Sequence, residues 1–310
     1  MRRLGRLIAF LFLALSLGTG VIYYYQRKQA AANATPPPAP LPQGVAGTAD
    51  RWQWTHNVDG KPMVEISARE YRMIQQPSRV ELVDVDLKIF GGDPSAYDLV
   101  KSKRADVDIR SKTMYSEGEV EIVMRIPNDG RPMPERPMTI RSSKVHFDTE
   151  SGKARTDEKT FFQFAEGFGD AVGALYDPQA KEVTLNQDVR LTLVKDGAAF
   201  PTVVSASHAI YREVYSKIEM TGPTRMERRK LAMDAGDATI ELKDGEIHRV
   251  EARNVSGLDK YPNRELAFGA QFAELKYRAD GTLAEIFGDG NSRVETLTPG
   301  SRSEVRSARM

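Results

Sequence analysis

No cysteine occurs in the 310-residue chain, which removes disulfides, thiolate nucleophiles and cysteine-based metal sites together. An excess of charge of one sign is missing too. Lys plus Arg number 44 against 43 Asp plus Glu, so there is no basic field to draw in nucleic acid, and none is expected as a partner. Histidines are few (His56, His146, His208 and His248), and none has a second ligand at the short spacings metal sites use. No G-x-S-x-G, Walker or EF-hand loop is present. The stretch "EGFGDAVG" (166–173) has Val172 where a dinucleotide loop needs glycine, and "ALYDPQAKEVTL" after it reads as a turn and a strand. It reads better as a strand with bulges or close backbone approaches. Long helical patterns with caps are absent after residue 50. The expectation is a protein without a catalytic centre, cofactor or metal.

What is present begins with an uncharged, mostly apolar run from Leu7 to Tyr25. As a helix it reaches about 28 Å at roughly 1.5 Å per residue, close to the hydrocarbon thickness of a bilayer. Arg2, Arg3 and Arg6 precede it and Tyr23, Tyr24 and Tyr25 end it, which favours a cytoplasmic N-terminus and an aromatic belt on the far side. The small-x-small site Ala32-Asn33-Ala34 lies past the run and behind Arg27 and Lys28, so a retained anchor over residues 1–28 is preferred to a cleaved signal peptide. Residues 29–50 hold Pro36 to Pro38, Pro40 and Pro42 and read as an extended spacer.

From Arg51 onward the texture is β. "RVELVDVDLKIF" (79–90), "GEVEIVMRI" (118–126) and "DVRLTLV" (188–194) alternate apolar with polar residues, giving each strand one apolar and one wet face. Asp-Gly recurs at 59–60, 129–130, 196–197, 244–245, 280–281 and 289–290, a pair favoured in tight hairpins. In "EKTFFQF" (158–164) the adjacent Phe161 and Phe162 must point to opposite faces. Small-residue phrases recur as "SAREY" (67–71), "SSKVHF" (142–147), "SASHAIY" (205–211), "AGDATIEL" (235–242), "GAQFAEL" (269–275) and "SARM" (307–310). Between them come a turn and a strand, so each unit must stack on its neighbours to bury its apolar face. The last phrase opens a unit that the chain does not finish, which reads either as a closing edge strand or as a fragment of a longer repeat protein.

The anchor at 7–25 and "GFGDAVGALYDPQAKEVTLNQDVRLTL" (167–193) carry a resemblance. The latter steps from a small-residue strand through "YD" and a turn into "V-x-L", and similar steps occur at 67–90 and 205–222. This pattern resembles the LptC family, the membrane-anchored component of the lipopolysaccharide export machine, and the related LptA/OstA-type domain of the periplasmic bridge. The resemblance implies an all-β, open V-shaped antiparallel β-jellyroll that encloses an apolar channel for lipid acyl chains. It implies as partners lipopolysaccharide, the inner-membrane ABC transporter, and an LptA-type bridge protein docked edge to edge by β-strand addition. It also implies an inner-membrane, single-pass protein with most of the chain in the periplasm.

The organisation expected is an anchor (1–28), a spacer (29–50), an LptC-like jellyroll (51–200) and continuing OstA/LptA-like repeats (201–310), longer than a typical family member. Groove candidates are the alternating apolar positions Val83, Val85, Leu87, Val120, Ile122, Met124, Phe162, Val183, Leu185, Val189, Leu191 and Leu193. Sequence alone leaves open which strand face is lumen. Arg225, Arg228, Arg229 and Lys230 are set down as a solvated loop, with lipid phosphate as the other reading. The alternative function is a membrane-tethered structural β-repeat protein that binds other proteins. An anchored hydrolase lacks its constellation.

Overall fold

The computed structural model describes Lys28 and residues 45–74, 79–90, 95–108, 110–134, 137–164, 167–194, 201–243, 246–278 and 283–309. The anchor read at 7–25, the proline-rich spacer through residue 44 and three of the Asp-Gly pairs (196–197, 244–245, 280–281) lie outside these residues. Gly44–Met310 forms one compact unit. Among the described residues, no helix is long and apolar enough to cross a membrane.

The unit is almost entirely β, as the alternation predicts. The strands are β1 (Val45–Val58), β2 (Lys61–Ile74), β3 (Arg79–Ile89), β4 (Ala96–Asp108), β5 (Thr113–Ser116), β6 (Val120–Pro127) and β7 (Thr139–Ser142). Next come β8 (Val145–Asp148), β9 (Ala154–Phe164), β10 (Gly167–Asp177), β11 (Glu182–Leu193), β12 (Thr202–Ala206), β13 (His208–Arg212) and β14 (Lys217–Thr221). The chain finishes with β15 (Thr224–Arg228), β16 (Leu231–Ala235), β17 (Asp237–Lys243), β18 (Glu246–Tyr261), β19 (Arg264–Tyr277), β20 (Leu283–Thr298) and β21 (Ser301–Arg309). A single 3-10 turn, Glu213–Tyr215, links β13 to β14. Residues 45–50, counted with the spacer from their composition, belong to β1 and pair with residues 70–74 of β2. Ladder hydrogen bonds to a neighbouring strand outweigh the weak β preference of Gly and Ala there.

The registers divide the sheet into two arms. β4 uses Ala96–Ser102 to pair with β6 and Asp106–Asp108 to pair with β5. β9 is shared in the same way between β7 and β8, β11 between β12 and β13, and β18 between β16 and β17. Each consecutive pair of short strands therefore replaces one long strand broken at the boundary. The first arm holds β6, β7, β12, β15 and β16, the second holds β5, β8, β13, β14 and β17, and the long strands cross the crease between them. Every pairing is antiparallel, and among the described residues β1 pairs only with β2 and β21 only with β20.

The crease has its own backbone signature. Arg51, Asp84, Lys144, Asp188, Asn254 and Asn291 have φ near +50°, and Gly173 and Gly222 have φ of +74° and +79°. Left-handed residues inserted into a ladder make bulges that bend and re-phase a strand. The recurring small-residue phrases coincide with these crossings. Ala68 faces Val85, Val85 faces Ser102, Val189 faces Ala206, Thr224 faces Ala235, Val255 faces Ala270 and Ser292 faces Ser307. Where two arms of one sheet converge, little room remains between them, so Ser, Ala and Thr take the inner positions there. Buried hydroxyls at the crease find partners there: Ser102 Oγ lies 2.7 Å from Ser116 Oγ, and Thr156 Oγ1 donates to the Ser143 backbone carbonyl at 2.7 Å.

Two turn expectations resolve differently. Asp59-Gly60, both at positive φ, forms the two-residue hairpin between Val58 and Lys61, as Asp-Gly favours. Asp289-Gly290 forms no hairpin. β20 runs straight through it, and Gly290 (φ +72°) and Asn291 make its crease bulge. A residue pair suited to positive φ serves either a turn or a bulge, and pairing with β19 decides for the bulge.

Candidate functional site

An unbroken apolar row crosses the inner face of the first arm. Trp54, Ile66, Leu87, Val100, Ile122, Ile140, Phe162, Gly169, Leu191, Val204, Met226, Met233, Gly257, Phe268, Val294 and Val305 are successive register partners from β1 to β21. The two glycines carry the rings of neighbouring phenylalanines. A Cβ on Gly169 would stand 2.5 Å from the Phe162 ring, and one on Gly257 2.1 Å from the Phe268 ring. A second row crosses the other arm, from Met73 and Val80 through Val107, Met114, Phe147, Ala154, Tyr176, Val183, Tyr211, Ile218, Ile240, Val250 and Leu275 to Ile286.

Both rows are buried in the middle of the sheet and emerge at its ends. Met73 is 40% exposed, Ile286 61% and Val305 59%. The outer face is charged and cross-linked by ion pairs such as Arg69–Asp84 (2.7 Å), Lys144–Glu158 (2.8 Å) and Lys217–Glu241 (2.7 Å). Being solvent-exposed, such pairs add little stability and chiefly keep that face wet. Arg225 of the basic stretch joins this pattern, bridging Glu227 and Asp234 at 2.8 Å each.

Of the groove candidates, Val85, Leu87, Val120, Ile122, Met124, Phe162, Val183, Leu185, Val189, Leu191 and Leu193 are buried on the inner face. Phe161 turns outward and is 52% exposed, so the two adjacent phenylalanines do split between faces. Val83 does not share the face of Val85. The bulge at Asp84 (φ +50°) shifts the phase of β3, so Leu82 is buried and Val83 lies half-buried on the other side. Simple alternation across residues 83–89 misses this because a bulge adds one residue to the period.

The structure also brings together polar residues that sequence reasoning missed. On the first arm, Asp98 of β4 accepts a hydrogen bond from the Arg125 backbone N–H of β6 at 2.7 Å. From the second arm, the Tyr176 hydroxyl of β10 donates to the same carboxylate. Arg125 then reaches Glu213, in the 3-10 turn of the second arm, at 2.7 Å. Burial pushes the Asp98 carboxyl above its ordinary range, against the opposing pull of the Tyr176 and Arg125 hydrogen bonds and the Arg125 and Lys181 charges. Burial raises Glu213 as well, and burial beside the Asp98 charge raises the Tyr176 hydroxyl. Gly152, in the β8–β9 turn, closes the same contact, because a Cβ there would stand 2.8 Å from Ile89 Cγ2. One sequence signal was available. In "AYDLVKS" Asp98 falls in phase with Val100 and Ser102, an acid at an inner position.

Two small cavities lie between the arms among the described residues. A cavity of about 30 Å³ is lined by residues including Asp98, Met124, Arg125, Tyr176 and Glu213, and another of about 20 Å³ by Val120, Ile122, Ile140, Ala174 and Val183 among others. Each has room for one or two waters. Among the described residues no group of three or more metal-ligating side chains converges.

A family model described as "Lipopolysaccharide-assembly, LptC-related" matches residues 11–194, ending one residue past β11. The chain belongs to the LptC family. No curated protein sequence matches the chain. LptC proteins are components of lipopolysaccharide transport, which places this chain in that process. The family-matched part holds the β1–β11 rows, the crease from Arg51 to Asp188, and all of the Asp98 cluster except Glu213. Beyond it, β12–β21 continue both inner rows without a change of register logic.

Proposed function

We propose that the two arms form an open V-shaped β-jellyroll whose inner rows carry lipopolysaccharide acyl chains along the sheet. The apolar run at 7–25 anchors the chain in the inner membrane with its N-terminus cytoplasmic and the jellyroll in the periplasm, beside the ABC transporter that supplies energy. An LptA-type bridge protein docks on an exposed strand edge and receives the lipid. Residues 51–200 act as the LptC-like jellyroll, and 201–310 extend the same passage with OstA/LptA-like repeats. The observation that carries this reading is the continuous apolar row from Trp54 to Val305, which runs from one sheet edge to the other. Each acyl methylene moved from water onto such a surface gains about 0.8 kcal/mol. Transport of this kind needs no catalytic group, and the groove residues are Val85, Leu87, Val120, Ile122, Met124, Phe162, Val183, Leu185, Val189, Leu191 and Leu193.

The test is photo-crosslinking. A photoreactive residue at Leu185 or Leu191 is expected to form lipopolysaccharide adducts, while controls at the outward-facing Thr184 and Arg190 form none. A second reading, a tethered structural β-repeat protein, draws support from the two cavities between the arms described above, which hold about 20 and 30 Å³. Absence of adducts at every inner position would favour it.

A further inference from the structure

We infer that the Asp98–Tyr176–Arg125–Glu213 cluster is a clasp that holds the two arm tips together and must release before an acyl chain can pass between them. This rests on the passage proposed above and names the residues that control entry to it.

The geometry is that of a closure across two arms. Asp98 and Arg125 sit on adjacent strands of the first arm, β4 and β6, and Tyr176 and Glu213 belong to the second. The bonds therefore join segments 78 and 88 residues apart in sequence. They stand beside Ile89, Met124 and Pro178, which line the same small cavity at the tips. In the present state that cavity, about 30 Å³, is far below the several hundred Å³ that a sizeable ligand occupies, so the tips must part to admit one.

Polar groups suit a closure that has to open. An apolar seam parted in water exposes surface that water does not compensate. Asp98, Tyr176, Arg125 and Glu213 regain hydrogen bonds to water when the tips separate, so the closed state is favoured only modestly. Arg125 is half of the closure by backbone and half by side chain. Its left-handed φ of +57° aims its N–H at Asp98 while the guanidinium reaches Glu213. The cluster balances two acids, Asp98 and Glu213, against Arg125 and the nearby Lys181, so it offers no net charge to hold a lipid phosphate permanently.

The experiment uses the full chain in nanodiscs with a photoreactive residue at Leu185 and purified lipopolysaccharide. The rate of adduct formation is compared among the parent protein, Arg125→Gln combined with Tyr176→Phe, and Glu213→Gln alone. The Glu213 side chain is mostly covered, but Gln keeps its size, its turn neighbours Val214 and Tyr215 are exposed and its partner Arg125 is largely exposed, so Glu213→Gln serves as the mild variant should the double one fold poorly. Loss of the charge-assisted bonds is expected to speed adduct formation on the order of tenfold in the double variant and a few-fold in Glu213→Gln. Hydrogen exchange at residues 96–100 and 174–177 should accelerate in parallel. Adducts forming at equal or lower rates in the variants, with unchanged exchange, overturn the clasp and leave the passage standing. No adduct in any of the three proteins overturns the passage and the clasp with it.

Discussion

The half of the sheet from β1 to β11 and the half from β12 to β21 obey one register scheme but are filled differently. The largest fully buried side chains, among them Phe147, Ile66, Leu82, Leu87, Ile89 and Met114, fall almost wholly in the first half, with Met220 the exception. In the second half methionine and alanine take a larger share of the buried positions, with Met220, Met226, Met233, Ala235, Ala238, Ala252 and Ala273 standing beside Val204, Ile218, Ile240, Val250, Val255 and Leu275. By β21 every residue is exposed. Branched aliphatics and Phe lock into one packing arrangement, whereas Met adapts and Ala leaves room. The comparison teaches that the family-matched half is built as a firm, clasped core. The half beyond residue 194 continues the apolar surface with side chains that yield.

The comparison can be broken by core truncations. Phe147→Ala is expected to cost about 3–5 kcal/mol in chemical denaturation of the full chain. Phe268→Ala, at a half-buried position of the first-arm row, is expected to cost at most about half of that, since less buried surface and cavity are at stake. Equal losses would mean that the second half is as tightly specified as the first.

A smaller effect sharpens the same contrast at two glycines. On Gly169 an added Cβ would stand 2.3 Å from the Arg190 carbonyl oxygen as well as against Phe162. The backbone cannot step aside, so Gly169→Ala should destabilise by about 1–3 kcal/mol. On Gly257 the three nearest obstacles are all atoms of the half-buried Phe268 ring, which can swing outward. Gly257→Ala is then expected to cost less than about 1 kcal/mol, and thermal unfolding of the two variants side by side decides it.

The smallest effect is a pH dependence confined to the first half. Asp98 is held above the ordinary carboxyl range by burial, so in the folded protein its ionised form is penalised, and that penalty disappears as pH falls through the folded value. The difference in Tm between the parent protein and Asp98→Asn should therefore shift in favour of the parent as pH falls from neutral through the folded value toward the ordinary carboxyl range. Arg125, Lys181, Tyr176 and Glu213, which face Asp98, remain in both proteins, as do the turn acids Asp108, Asp148 and Asp177, whose carboxyls lie below the ordinary range. The turn acids cancel in the difference; Glu213, whose carboxyl the Asp98 charge helps to raise, adds to it in the same direction, so the comparison is repeated in a Glu213→Gln background. A flat difference would show that Asp98 reaches water freely, and the tips would then be open in solution.

Much of this organisation is legible in the residues. The strands at 79–89, 120–127 and 182–193 follow from period-two alternation, and the Asp59-Gly60 hairpin from its turn chemistry. The recurring Ser-Ala phrases mark real boundaries. They are crossings of the crease, where one strand passes between arms, and each opens the next half-strand. Val83 and Asp289-Gly290 escaped because a bulge leaves no composition signal distinct from a surface acid or a turn. The clasp escaped because its partners are separated by 78 and 88 residues, and nothing local in "AYDLV" names the tyrosine that will meet Asp98.

The sequence by itself determined that the chain is β, that its strands carry one apolar face each, and that small residues recur at intervals along it. Those are properties of the neighbouring residues and of the pleat, which a strand obeys whatever it pairs with. Tertiary structure alone decided which half of each strand joins which arm, where bulges reverse the facing of a side chain, and which distant polar groups close the tips. Those outcomes depend on register between strands and on the narrow space at the crease, and register is a relation between segments that no single segment contains.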